Sequence, residues 1–389
     1  MKLQHLTLLL AVSLMLSNCQ SIEKESIQEE EEANVSTIYV GTYTRKEGHV
    51  DGKATGIYQL KMNVETGKLK IIDTIKGTIN PSYLAIHPNQ KYLYAVNEIA
   101  DGNRIGTITT YNIESGKAQK INEVSSKGDA PCYISIDRTG KFVLVANYME
   151  TIASYEIEKD GSLSEAVDVV EHKRERAAVF RQETGHPHII LPAMNDKTLF
   201  VADLGLDEIF HYELNEKGEF TKVAITETVP LSGPRHLVFH PIYSKCYVLN
   251  ELNITVEVFE TKAANEPFER IQMINTVGDI DENVAPSAIK LHPSGKFLYV
   301  ANRGINGGTG HNITAFSINE SGELSFVASY STEGEVPRDF EISPDGRFLL
   351  AANQNSNSII TFKINTTTGE LESTGQQLEI KTPVCLKFL

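Results

Sequence analysis

Residues 286–303 read PSAIKLHPSGKFLYVANR. A mostly apolar run from Ala288 to Leu291 leads into the turn residues of HPSGK, and Phe297, Leu298, Tyr299 and Val300 then lead to Ala301 and Asn302. Strand, tight turn and strand in that order describe a β-hairpin. The same gap-free frame of eighteen residues recurs at Pro81 (PSYLAIHPNQKYLYAVNE), Pro131 (PCYISIDRTGKFVLVANY), Pro187 (PHIILPAMNDKTLFVADL), Pro234 (PRHLVFHPIYSKCYVLNE) and Pro337 (PRDFEISPDGRFLLAANQ). Successive starts lie 50, 56, 47, 52 and 51 residues apart. A period in that range is the mark of a repeat architecture. Two weaker strand patterns follow each hairpin, for example NITAFSI and ELSFVAS joined by NESGE. Four short antiparallel strands per unit make one blade of a β-propeller.

A seventh unit is split between the termini. PVCLKFL at residues 383–389 matches only the opening strand, and STIYVGTY, TGIYQLKM and LKIIDTIK near the N-terminus supply the other three. The chain is therefore expected to be all-β, a single seven-bladed β-propeller over residues 36–389, closed by pairing the N- and C-terminal strands within one blade. Such closure leaves no open sheet edge at the seam.

The residues before that ring read differently. Lys2, the apolar run Leu6 to Leu16 and then Ser17, Asn18 and Cys19 have the form of an export signal. Cys19 resembles the lipobox cysteine of bacterial lipoproteins, which implies a signal over residues 1–19 and a lipid-anchored, exported protein, periplasmic or at the cell surface. Residues 20–35 are expected to be a disordered acidic tether. The whole chain carries −15; residues 20–34 hold six Glu and one Lys, and residues 1–18 only Lys2, so the ring itself keeps −11. That balance argues against a nucleic-acid partner, which needs a basic surface. A monomer with a small anionic partner is expected. Cys132, Cys246 and Cys385 form no C-x-x-C pair and read as buried free thiols, an oxidising compartment also allowing one disulfide among them. No cofactor is expected, and no His, Cys or carboxylate cluster has metal-ligand spacing.

Hairpin geometry locates the chemistry. The position after each repeat proline and the position seventeen beyond it should share one rim. The first column reads Ser82, Cys132, His188, Arg235, Ser287 and Arg338; the second reads Glu98, Tyr148, Leu204, Glu251, Arg303 and Gln354. Just before the second column stand Asn97, Asn147, Asp203, Asn250, Asn302 and Asn353, a near-invariant series within the chain that reads as turn capping. Side chains that differ between blades are the better functional candidates, because a repeat needs no variation in order to fold. By that criterion Glu98, His188, Arg235, Glu251, Arg303 and Arg338 form an ionisable ring at one mouth. Three arginines there suit a carboxylate or phosphate. Arg235 and Glu251 belong to one hairpin and are equally able to neutralise one another. The longest spacing holds EHKRERAAVFRQETGHPH, which brings Arg174, Arg176, Arg181, His186 and His188 towards the same rim, either as a solvated loop or as a loop that carries a general base.

On the stretches RQETGHPH, FVADLGLDEI, GPRHLVFHP, YVLNELNITVEVFE, VANRGINGGTGHNITAFSI and VPRDFEISPDGRFLLAANQNSNSIITFKI, the chain resembles the seven-bladed propeller lactonase family. That family includes the 6-phosphogluconolactonase type and is related to the propeller carboxy-muconate cycloisomerases. The resemblance implies hydrolysis of a sugar-type lactone, with catalytic His188, Arg235 and Glu251. Arg303 and Arg338 are alternatives for a further family arginine, and His186, Arg181 and Glu98 are expected to face substrate. Either His188 or Glu251 would serve as general base, with Arg235 and Arg303 stabilising an oxyanion. Muconate-type cycloisomerisation and non-catalytic binding of an acidic ligand, glycan or protein remain open on the sequence. The third hairpin departs from the family at PAMND, where a P-D-G-K type turn is usual. An export signal points towards a lactone that is not phosphorylated, a different acid or a surface ligand, since phosphorylated sugar lactones are made inside cells.

Overall fold

The computed structural model describes residues 34–48, 50–100, 106–174, 181–193, 197–278 and 283–389. The expected signal with Cys19, the tether through residue 33, Arg176 and the turn at residues 194–196 lie outside the described residues. Among those described, the regular structure is entirely β: seven four-stranded antiparallel sheets and one short ribbon of Lys46–Glu47 with Val50–Asp51. No helix among them is long and apolar enough to cross a membrane.

In every sheet the strand carrying the repeat proline forms one edge, and these edge strands touch in cyclic order. Pro81–Ile86 contacts Asp129–Ile136 on one side and Pro383–Phe388 on the other. The seven blades therefore form a closed ring around a central channel. Blades are numbered 1 to 6 by the hairpins that begin at Pro81, Pro131, Pro187, Pro234, Pro286 and Pro337. Blade 7 joins Pro383–Phe388 to Val35–Thr42, Gly56–Asn63 and Leu69–Lys76.

The sequence pattern follows from this packing. An inner strand has a neighbouring blade against each face, so Phe348–Asn353 (FLLAAN) is buried at every position. The outermost strand Leu371–Glu379 has solvent on one side, and its burial alternates. Adjacent blades are also joined by buried hydrogen bonds. Tyr94, Tyr247 and Tyr299 each donate a hydroxyl to a turn-glycine carbonyl of the next blade, Gly161, Gly322 and Gly369, at 2.9–3.0 Å. At the channel end opposite the ionisable ring, His87, His240 and His292 reach the carbonyls of Gly140, Gly295 and Gly346 at 3.0, 2.8 and 2.9 Å. Gly346 has φ +74°, and a Cβ there would stand 2.6 Å from the His292 ring, so both conformation and space require glycine.

The ring closes as expected: Ile38 pairs with Phe388, Val40 with Leu386 and Gly41 with Cys385. Gly41 is constrained by blade 1, since a Cβ would lie 2.7 Å from the Pro81 carbonyl. Cys132, Cys246 and Cys385 are all free and buried.

Removing Pro383–Leu389 would strip the buried Val384, Cys385 and Leu386 and leave Val35–Thr42 unpaired. At roughly 1.5–3 kcal/mol for each buried apolar side chain, the loss rivals the whole stability of an ordinary domain. The truncated protein is expected to lose its cooperative thermal transition in calorimetry. A midpoint within about 5 °C of the full-length chain would show that the terminal strand does not hold the ring.

Candidate active site

All seven inner hairpins share a defect. Pro81 pairs with Asn97 but Tyr83 pairs with Val96, so Ser82 is an extra residue. The same slip isolates Cys132, His188, Arg235, Ser287 and Arg338 after their prolines. In blade 7, Thr42 pairs with Pro383 and Gly41 with Cys385, which isolates Val384. A β-bulge removes a side chain from the in-and-out alternation of its strand and re-aims it. Here Ser82, Cys132, Arg235, Arg338 and Val384, together with Glu98, converge on one narrow cleft.

Glu251 is the electrostatic centre of the mouth. It is 5% exposed, and its carboxylate meets Arg181 at 2.6 Å, Arg235 at 2.8 Å and Arg303 at 3.1 Å. The Arg235 Nε contact is an ion pair without hydrogen-bond alignment. Burial alone would raise the Glu251 carboxyl, but Arg303, Arg181 and Arg235 together outweigh it and hold the group far below the usual carboxylate range. Arg303 is fixed further by donating to the Ala285 carbonyl at 3.1 Å. A second pair lies nearby: Arg338 is 3.7 Å from Glu98, which also accepts a 2.8 Å hydrogen bond from Tyr43, and the Arg338 guanidinium lies 5.3 Å from the centre of the Tyr43 ring. Four guanidiniums thus face two carboxylates, an excess of two positive charges within a protein of negative net charge.

His188 occupies the bulge of blade 3, 5% exposed. Its ring meets Tyr148 and His236 edge-on at 5.6 and 5.5 Å, and its Nδ1 stands 3.8 Å from the Cys132 thiol. Burial first, then the charges of Arg235 and Arg338, push its pKa well below the ordinary histidine value, so the imidazole is neutral. Burial likewise raises the Cys132 thiol, which leaves it protonated and unreactive.

The blade 3 insertion supplies two more groups. Arg181 donates to Tyr148 Oη at 3.1 Å as well as to Glu251, and His186 stacks on Tyr148 with ring centres 4.4 Å apart. Arg174 pairs instead with Glu208, at the foot of the insertion. The asparagine column lies behind the mouth: Asn147, Asn302 and Asn353 donate to the carbonyls of Ser126, Thr276 and Thr332, which tie each hairpin to the segment leading into it.

The structure therefore brings Arg181, Arg235, Glu251 and Arg303 into direct contact, places His188 beside them, and sets Glu98 with Arg338 across the same cleft. Sequence reasoning did not find Tyr43, the blade 7 counterpart of the second column, because that blade is split between the termini. A wider cavity of 410 Å³ shares Tyr83 and His236 with the cleft, but Lys290 there is engaged by Asp339 and Glu341.

The chain is thus a closed seven-bladed β-propeller whose mouth gathers guanidiniums around a buried carboxylate. Residues 37–388 match the family model described as "Lactonase, 7-bladed beta-propeller", and the chain belongs to that family. It is 34% identical over 356 residues, 90% of this chain and 97% of the relative, to a 6-phosphogluconolactonase of Bacillus subtilis. It is 32% identical to a 6-phosphogluconolactonase of Formosa agariphila, covering 88% of this chain and 96% of that one. A solved periplasmic gluconolactonase of Pseudomonas aeruginosa superposes with a TM-score of 0.83 at 31% identity, covering 91% of this chain and 99% of that one.

Glu251→Gln would leave three guanidiniums around a neutral amide. Breaking a buried ion pair from one side costs about 3–5 kcal/mol, and denaturant unfolding at neutral pH should show a loss of that order. The folded pKa of Glu251 lies below its unfolded value near 4.5, so its stabilisation is complete above that pH and is lost as the pH falls from there towards the folded value. The gap between wild type and variant should therefore narrow in acid. A gap independent of pH would contradict the depressed carboxyl.

Proposed function

We propose that this lactonase-family enzyme opens a sugar-type lactone by metal-independent addition of water at the mouth formed by blades 1, 3, 4, 5 and 6. The observation that carries this reading is the excess of guanidiniums around Glu251 and Glu98, in a chain that aligns with named lactonases over nine-tenths of its length. Arginines with N–H groups held in fixed directions suit a carbonyl oxygen whose charge grows as the carbon becomes tetrahedral. Arg235 and Arg303 fill that role, with Arg338 and Arg181 holding other oxygens of the substrate.

Glu251 and His188 take different parts. A carboxylate saturated by three arginines is a poor proton acceptor, so Glu251 sets the arginines in place. His188, neutral and beside Arg235, takes a proton from water as the water oxygen bonds to the carbonyl carbon. The ring C–O bond then breaks and the alkoxide receives the proton from His188, which leaves a hydroxy acid and an unchanged imidazole. Burial gives the larger share of the lowered basicity of His188, and an anionic substrate group offsets the share that comes from Arg235 and Arg338.

Acid release from gluconolactone and from its 6-phosphate tests this scheme. His188→Ala is expected to lower kcat/KM by about 10²–10⁴, the usual share of a general base, Arg303→Met to lower kcat by about 10²–10³ through loss of an oxyanion donor, and Arg338→Met to raise KM. Activity should be flat across neutral pH and fall only below the ordinary histidine value of 6.5, as His188 takes up a proton. Hydrolysis of both lactones at no more than the uncatalysed rate, or full activity in His188→Ala, would reject the proposal.

We further propose that the enzyme works outside the cytoplasm, anchored through lipid on Cys19. The N-terminal pattern supports this, as does the likeness to a periplasmic gluconolactonase. Wild-type protein should partition with membranes, and Cys19→Ser should move it to the soluble fraction. Equal partition of the two would sink the anchor.

A further inference from the structure

Of the seven positions that pair with the repeat prolines, five carry asparagine, blade 7 has Thr42 and blade 3 has Asp203. Its two carboxylate oxygens serve two ends of one loop. Oδ2 lies 2.8 Å from Nδ1 of His172, where the chain leaves the outer strand Leu163–Glu171 of blade 2. Oδ1 accepts the backbone N–H of His186 at 2.7 Å, where the chain returns, and those of Gly205 and Leu206 at 3.0 and 3.1 Å. The other ring nitrogen of His172 lies 2.9 Å from the Tyr212 hydroxyl. With the carboxylate accepting from Nδ1–H, Nε2 accepts from the tyrosine.

Close backbone contacts reinforce the junction. A Cβ on Gly185 would fall 2.2 Å from the His172 carbonyl oxygen, and one on Gly205 would fall 1.9 Å from that of Thr184. Gln182 donates to the Leu204 carbonyl and to Asp207, at 2.8 and 2.7 Å. Arg181, the neighbour of Gln182, then extends to Glu251 and Tyr148. His172 and Asp203 are buried and lie outside the mouth itself.

We infer that His172 and Asp203 are positioning residues for substrate recognition: their buried pair fixes the returning segment 181–186 and thereby sets Arg181 over Glu251. This rests on the reading of Arg181 as a substrate contact. An asparagine here would still accept the three backbone N–H groups, but a carboxylate is required to hold an imidazole that donates through Nδ1. The departure from asparagine in this blade has a reason in the loop that only this blade must anchor.

His172→Phe keeps an aromatic ring against Phe210, whose ring centre is 4.1 Å away, and removes both polar contacts. It is expected to raise KM by roughly the same several-fold factor as Arg181→Met, with kcat unchanged. Combined with Arg181→Met it should add nothing, because both remove one interaction. Asp203→Asn, which lets the imidazole exchange donor and acceptor, should have a smaller effect than His172→Phe. If His172→Phe alone does not fold, His172→Phe with Asp203→Asn removes the stranded charge and takes its place. Equal effects of His172→Phe with and without Arg181, or an unchanged KM, would overturn the inference. Backbone hydrogen exchange separates this from failure of the catalytic reading. With no lactone turned over, the clamp still requires exchange in residues 181–186 to quicken by about tenfold or more in His172→Phe relative to the rest of blade 3, and unchanged exchange overturns it.

Discussion

Each blade needs a neighbour on both faces, and the structure depends on that constraint. The inner strands are largely buried, and Phe348–Asn353 is buried at every position. A single sheet of this kind would expose a continuous apolar surface on either side. The only arrangement in which every sheet has two neighbours is a ring, and here the last strand closes it by pairing with the first. Contacts between blades then become the recurring unit of cohesion. Tyrosine hydroxyls and histidine rings of one blade satisfy turn carbonyls of the next, so buried polar groups are paired across the joint.

Because the ring is closed, residues far apart in sequence hold fixed distances at its mouth. Glu251 of blade 4 meets Arg303 of blade 5, and Arg181 comes from the insertion before blade 3. Gathering these charges in a dry site is a poor way to gain stability, since desolvation offsets most of the attraction. In the proposed reaction its value is electrostatic readiness. Donors fixed before substrate arrives need no reorganisation when charge develops on an oxygen. An acidic exterior around a basic mouth also distinguishes the opening from the remaining surface, because the local field attracts anions there and repels them elsewhere.

The fold was legible because it is periodic. Six gap-free copies of one hairpin announce the blade, and a lone opening strand at Pro383 shows where the seventh is divided. The mouth was legible in part, since unlike residues in matching columns pointed to His188, Arg235, Glu251 and Arg303. Three things were not legible, each for a physical reason. The slip after every proline was not legible, because a proline at the start of an edge strand is accommodated with or without a bulge. The depressed carboxyl of Glu251 depends on how many guanidiniums converge on it, and that number belongs to the assembled ring. Asp203 reads as one more member of a capping series, and its partner His172 stands 31 residues earlier in a different blade.

The bulges carry a consequence for how such a molecule can change over time. A residue in a regular ladder must suit the pleat, the neighbour opposite and the face it points to. The extra residue after each proline has no partner opposite, and serine, cysteine, histidine, arginine and valine all occupy it within this one chain. The ring therefore has seven interchangeable sockets around its axis. New reactivity can be tried at a socket while the surrounding architecture is inherited intact.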